Sequence, residues 1–383
     1  SALKVLKTPS WILLSRCFIL SVMMSAVVSI GCPIGPFVRA EIESRTEALP
    51  GAAATIVCSD SISWTGVYGE AALGSGRLIA ADSVFQIASV SKTFAGVALA
   101  LVQSEGLLQL DEPLYQILPS TSIGQGGLGK EINLMHLASQ SSGLLPHSFT
   151  NFIEERSDYE SMIKKLKHAP FICRPGACYS YQNVAFSLIG DVIEQRGEIT
   201  YRAFVEEKIF SPLGMKDAWL GEKAPSGHQL VSPHVRTKTG WRAARPNNKY
   251  YKVLPAAGVN ASIADMKRWL EALLGLTPLL SPELLEQIGR KRVDYKAHQG
   301  HYPRSAPLSE TGYAMGFRTF AYRQVPGFLH HGGYIRGMRS EMILHPPTGM
   351  GLAFLTNSEP DRLNRLSLAF ADWVVDQALI PTD

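Results

Sequence analysis

Between Ser83 and Leu107 the chain reads SVFQIASVSKTFAGVALALVQSEGL. Ser83–Ser89 is a short apolar run of strand type. From Lys92 onward Phe94, Val97, Ala98, Leu101 and Val102 recur three or four residues apart, which predicts a helix over Lys92–Leu107 with Ser89 at its start. Backbone N–H groups in a first helical turn lack partners, and the helix dipole is positive there. A developing oxyanion beside Ser89 would meet both. Lys92, three residues on, shares a helix face with Ser89 and lies within reach of its hydroxyl. A serine hydroxyl is a weak nucleophile near neutral pH, and a desolvated lysine can serve as its base. Ser-x-x-Lys is nevertheless a cheap pattern. Ser1–Lys4 and Ser161–Lys164 also satisfy it. The first lies in the N-terminal segment, and the second lies on SDYESMIKKLKHA, whose charges indicate a solvated helix face. Only Ser89 joins an apolar run to an apolar helix.

Working outward, residues 52–71 alternate in polarity and carry Gly66 and Gly69, as two strands and a turn would. Residues 110–290 are mostly helical in pattern, with SLIGDVIEQRG and DMKRWLEALLG each closed by glycine. GYAMGFRTFAYRQ and RSEMILHPPTGMGLAFLTN read as antiparallel strands, and residues 363–380 as a final amphipathic helix. This order predicts one sheet built from both chain ends with a helical subdomain between them.

Two further clusters complete a candidate site. Tyr-x-Asn occurs once among thirteen tyrosines, at Tyr181-Gln182-Asn183, at a loop–helix junction. A phenol beside a cationic lysine can shift toward phenolate and relay a proton. Asn183 can donate to a substrate carbonyl and accept from Lys92. The third cluster has three candidates. Lys238-Thr239-Gly240 sits at a polar hairpin tip with no apolar strand after it. His298-Gln299-Gly300 lies in a polar loop. His331-Gly332-Gly333 is followed by Gly337 and the strand RSEMIL, and its glycines would let backbone approach a ligand closely. The third is preferred. The run Gly124–Lys130 imitates a nucleotide loop, but Glu131 stands where Ser or Thr would meet Mg²⁺ and no strand feeds it. No G-x-S-x-G occurs, and the ten histidines show no metal spacing, so neither a cofactor nor a metal is expected.

With Ser89–Lys92, Tyr181–Asn183 and His331–Gly333 in that order, the chain resembles the class C β-lactamase and DD-peptidase superfamily of serine penicillin-recognising enzymes. The similarity covers most of residues 45–380. FQIASVSKTFAG, INLMHLASQSSGLLP, PGACYSYQNVAFSLIGDVIE, IFSPLGMKDAW, PAAGVNASIADMKRWL and HHGGYIRGMRSEMILHPPTGMGLAFLTN match family landmarks in sequence. The family places a second glycine six residues after the motif's first residue; His331 satisfies this with Gly337, whereas His330 would put Arg336 there. The resemblance implies an α/β fold of β-lactamase/transpeptidase type, with an antiparallel sheet flanked by helices and an all-helical subdomain. It implies that Ser89 attacks a carbonyl, that Lys92 and Tyr181 share the proton, that Asn183 orients substrate and that His331 supports the site electrostatically. Backbone N–H groups of Ser89 and Tyr334, beside Gly333, would form the oxyanion hole. Class C β-lactamases carry Lys-Thr-Gly where this chain carries His-Gly-Gly. A histidine there is familiar in DD-peptidases, D-amino-acid peptidases and esterases of the fold, so acylation by β-lactams is implied and efficient β-lactam hydrolysis is not. The expected function is therefore a serine hydrolase cleaving an amide or related acyl bond of β-lactam or D-amino-acid peptide type. An esterase or transacylase is the enzymatic alternative, and a penicillin-binding sensor or pseudoenzyme the non-enzymatic one.

Composition bounds the rest. The chain has 383 residues, 46% hydrophobic and 18% charged, as globular proteins do. Its net charge of +4 resides in Lys4, Lys7, Arg16 and Arg39. The remainder carries 33 basic and 33 acidic residues, no footprint for a nucleic-acid partner. A small-molecule or peptide acyl substrate is the expected partner. Residues 1–40 read as a signal peptide or membrane-anchor leader, ending in the cleavage-like Val38-Arg39-Ala40, with residues 41–383 as the hydrolase domain. That places the body in the periplasm or on a membrane facing it. Cys58, in ATIVC, reads as a buried free thiol. Cys173 and Cys178 flank a turn and are either bridged or both reduced.

Overall fold

The computed structural model describes residues 32, 34–58, 62–155, 157–296, 301–360 and 363–378. Eight antiparallel strands form one sheet. Across it they run Ser63–Gly69, Gly51–Val57, Met350–Thr356, Met338–His345, Val325–Ile335, Arg318–Tyr322, Leu308–Tyr313 and Val293–Asp294. The first two come from the N-terminal part of the chain and the other six from the C-terminal part, as expected from the strand patterns. Gly51–Val57 and Met350–Thr356 are buried at every position, so the alternation expected over residues 52–71 does not hold in the first of them. The edge strand Ser63–Gly69 alternates between half-buried and exposed residues.

Two cores lie on opposite faces of this sheet. One fills the space between the sheet and the helical region, around the helix Ser91–Ser104. Every residue of that helix from Ser91 to Ala100 is buried, and Trp269 stacks on Phe94 at 4.0 Å. The other lies under the C-terminal helix Asn364–Ala378 and the N-terminal helical segment Ile34–Thr46. Among the described residues no helix is long and apolar enough to cross a membrane.

The expected leader lies largely outside the described residues, namely at 1–31 and 33. The expected boundary at Glu41, however, falls inside a helix that starts at Ile34. Ile34, Phe37, Val38 and Ile42 are buried at helical spacing, and Phe37 stacks on Trp373 at 5.1 Å. The apolar run read as leader thus ends in core side chains. The free-thiol reading of Cys58 is also corrected: Cys58 is bridged to Cys32, at the head of that helix. A second disulfide joins Cys173 to Cys178.

Candidate active site

Ser89 sits in a 3-10 turn, Ala88–Val90, that leads into the buried helix. Ala88 before it has φ 47, a left-handed conformation unfavourable for a residue with a Cβ. This turns the chain sharply and leaves Ser89 partly exposed between buried neighbours. The strand Val325–Ile335 lies directly against this turn. Ser340, paired with Gly333, donates to Ile87 O at 2.7 Å. A Cβ on Gly333 would collide with the same carbonyl, so only glycine admits this approach.

Lys92 is wholly buried. Its Nζ lies 3.2 Å from Ser89 Oγ, 2.8 Å from Asn183 Oδ1 and 2.9 Å from Ala256 O. Burial, reinforced by the charge of Arg318, holds its pKa well below that of a free lysine. A neutral amine has two hydrogens and one lone pair. In that form Asn183 Oδ1 and Ala256 O, which can only accept, would take the two hydrogens and leave the lone pair for the Ser89 hydroxyl. The Tyr181 hydroxyl donates to Ser89 Oγ at 2.8 Å from the other side. Burial raises the Tyr181 pKa and outweighs the opposing charge of Arg318. The sequence reading had this phenol shifted toward phenolate by a cationic Lys92. The shift toward phenolate is not seen in the buried site: burial raises the tyrosine's pKa and lowers that of the lysine.

Local bonds fix these groups. Gln182 caps the helix Asn183–Gly197, accepting from the N–H groups of Val184 and Ala185. The N–H of Gln182 donates to Gln140 Oε1 at 2.7 Å, and that of His147 to Tyr181 O at 2.9 Å. The Cys173–Cys178 bridge closes the loop leading to Tyr181. Gly316, at φ 80, packs onto Lys92 O so closely that a Cβ there would clash, which brings the next strand, Arg318–Tyr322, to the nucleophile helix.

His331 is fully buried, with Nε2 2.9 Å from the Tyr313 hydroxyl and Nδ1 2.8 Å from Gly332 O. Since the carbonyl can only accept, Nδ1 carries the proton and Nε2 receives the tyrosine O–H. Burial, followed by Arg318 and Lys92, lowers its pKa well below the ordinary value. It is a neutral ring 6.5 Å from the Tyr181 ring, behind the cleft wall. His330 instead bonds Glu341 at 2.5 Å and the Tyr302 hydroxyl at 2.6 Å. Lys238 is exposed at the tip of the hairpin formed by His234–Thr237 and Gly240–Ala243. His298-Gln299-Gly300 lies outside the described residues.

The structure thus brings Ser89, Lys92, Tyr181 and Asn183 into direct contact, with Gly333 and Tyr334 on the adjoining strand. It also shows residues that the sequence reading missed. The cleft, of about 570 Å³, is lined by Ser89, Tyr181 and Asn183 together with Arg318, Tyr179 and Tyr295, among others. Arg318 is only 7% exposed, and its Nε and Nη1 have no hydrogen-bond partner. Its guanidinium lies 5.8 Å from the Tyr181 ring and 5.9 Å from the Tyr295 ring. Among the described residues no carboxylate pairs with it. The signal was available: Arg318 is the sole charge in TGYAMGFRTFAY, an otherwise uncharged aromatic stretch.

Residues 38–376 match the family model described as Beta-lactamase. The chain is 30% identical over 212 residues to the D-alanyl-D-alanine-carboxypeptidase/endopeptidase AmpH of Escherichia coli (strain K12), covering 54% of this chain and 53% of that protein. It is 25% identical over 209 residues to a Beta-lactamase of Yersinia enterocolitica, covering 54% and 50%. The chain spans about half the length of these curated relatives. Among solved structures, a class C beta-lactamase superposes with a TM-score of 0.72 at 17% identity, over 91% of this chain and 97% of that one. At that identity the likeness speaks for the fold.

Proposed function

The chain belongs to the Beta-lactamase family, and from that premise we propose that it is a serine hydrolase that forms an acyl-enzyme on Ser89 and cleaves an amide whose leaving group bears a carboxylate. The observation that carries this reading is the wholly buried Lys92, whose Nζ lies 3.2 Å from Ser89 Oγ with two acceptors, Asn183 Oδ1 and Ala256 O, on its other sides and whose pKa burial lowers. The Ser89 proton passes to Lys92 Nζ as Oγ bonds the carbonyl carbon. The carbonyl oxygen becomes an oxyanion, held by the backbone N–H groups of Ser89 and Tyr334. Tyr181 gives its proton to the departing nitrogen and is reprotonated from Lys92. The net change is one proton moved from Ser89 to the leaving amine. Water then repeats the sequence in reverse on the ester. Asn183 keeps Lys92 in place, and neutral His331 braces the wall behind Tyr181.

Arg318 supports the substrate class. A buried guanidinium without a counter-ion is costly, and a substrate carboxylate would supply the missing partner. Peptides ending in a D-amino acid and β-lactams both carry such a group. The two disulfides support an oxidising, exported location. A panel of N-acylated D-amino-acid peptides, each with a free or an amidated C-terminus, alongside simple esters, tests the reading. Free-acid peptides are expected to be turned over fastest. Esters cleaved quickly while every amide is left intact would replace it with the esterase alternative.

A further inference from the structure

Past the exposed ring of Tyr334 the catalytic cleft continues into a second groove. Tyr250 and Tyr334 line both. The groove, also about 570 Å³, is formed by the hairpin His234–Ala243, the turn after Ile335 and the segment around Glu154, and Arg318 is not part of it. Its walls carry Arg236, Arg242 and Arg336, all exposed. Among the described residues none of the three has a carboxylate within ion-pair distance, although many surface arginines and lysines of this chain do. Of the groove's two acids, one faces a lysine and the other meets a backbone N–H. Glu154 faces Lys249 at 3.6 Å, and Glu359 accepts the Gly337 N–H. Three arginines without an ion-pair partner among the described residues thus gather in the groove adjoining the catalytic cleft.

We propose that this groove is the acyl-side subsite and that it takes an anionic group, a carboxylate, carried by the acyl portion of the substrate. The inference rests on the reading that acyl donors bind at Ser89. A donor whose leaving-group carboxylate rests on Arg318 has its acyl portion free to run past Tyr250 and Tyr334 toward the three arginines. Planar guanidinium groups suit carboxylates, with two parallel N–H donors each. The groove is open to water, so its attraction should weaken as salt rises.

The test uses two peptide donors of equal length that differ only in an acidic side chain or its amide on the acyl side. Wild-type protein is expected to show a KM about tenfold lower for the acidic donor in low salt, and this preference should shrink at high salt. In the triple variant Arg236→Gln, Arg242→Gln, Arg336→Gln the preference should vanish while turnover of the amide donor stays at the wild-type level. That turnover also reports that the variant is folded, and Arg336→Gln alone should lose part of the preference. Calorimetry of both donors on Ser89→Ala protein separates binding from chemistry. If neither donor is hydrolysed by wild type yet the acidic one binds more tightly, the hydrolase reading fails and the subsite stands. Equal binding of the two donors to the Ser89→Ala protein, or a preference that survives the triple variant, overturns the subsite.

Discussion

Replacing Arg318 with methionine should weaken catalysis and strengthen the fold at once. Methionine fills much of the same volume without charge. Nε and Nη1 are buried and unpartnered, so the native chain holds two donor nitrogens, each able to give one bond to a bidentate carboxylate, with no acceptor among the described residues. Hydrogen bonds to a charged partner contribute about 1.5–3 kcal/mol each, so losing two from a substrate carboxylate removes about 3 kcal/mol at the low end. At 1.36 kcal/mol per decade that is a loss of roughly a hundredfold in kcat/KM for free-acid donors. Amidated donors should be spared that loss. Conversely, exchanging a buried charge for an apolar side chain of similar volume is neutral or stabilising by about 1–4 kcal/mol, so the midpoint of thermal unfolding should hold or rise. The charge of Arg318 also lowers the Lys92 pKa. Without it that pKa rises, so the ascending limb of the pH–rate profile should move to higher pH, and the two donors must be compared on the plateau. The assay is kcat/KM for the paired donors across pH, with calorimetric unfolding of both proteins. An unchanged preference for the free acid in Arg318→Met, together with a lower unfolding midpoint, would refute the reasoning.

Other outcomes follow from the same geometry. Lys92→Ala and Tyr181→Phe should each lower turnover by about a hundredfold or more, and the double variant should be little worse, because the two act as one proton-transfer unit; additive losses in a double-mutant cycle would argue against a shared relay. Lys238→Ala should leave turnover unchanged, since the side chain is exposed at the hairpin tip and lines neither the catalytic cleft nor the adjoining groove. His331→Ala should lower it and cost about 1–3 kcal/mol of stability by stranding the Tyr313 hydroxyl, as measured by denaturant unfolding. Thiol labelling of denatured protein without reductant should spare Cys32, Cys58, Cys173 and Cys178, and modification of any of them after isolation from the native compartment would remove its bridge.

The parts of the site that the sequence made legible are local. Ser89 and Lys92 are one helical turn apart, and Tyr181 and Asn183 flank one cap, so spacing, polarity pattern and the family resemblance together pointed to them. The sheet was legible for the same reason, since Gly51–Val57 and Met350–Thr356 are apolar on both faces. What stayed hidden depends on contacts between distant positions. The pKa of Lys92 is lowered by burial and by Arg318, and its Nζ bonds Asn183 and the carbonyl of Ala256, 164 positions away; no local pattern announces these partners. The Tyr181 pKa was misjudged because its sign follows from burial, which spacing does not report. Cys58 looked unpaired because Cys32 was assigned to a leader, although Ile34, Phe37, Val38 and Ile42 carry the spacing of a buried helix face. Arg318 stood in plain view as a lone charge, but only the fold shows that no carboxylate pairs with it among the described residues.

The central claim is a covalent intermediate on Ser89 generated by Lys92. Intact-mass measurement of the protein after brief exposure to a β-lactam or an activated D-amino-acyl ester, followed by peptide mapping, addresses it directly. The account predicts a mass increase equal to the acyl group, confined to the peptide containing Ser89, formed near neutral pH and absent from Ser89→Ala. An adduct on another residue, or wild-type turnover by Ser89→Ala, would contradict it.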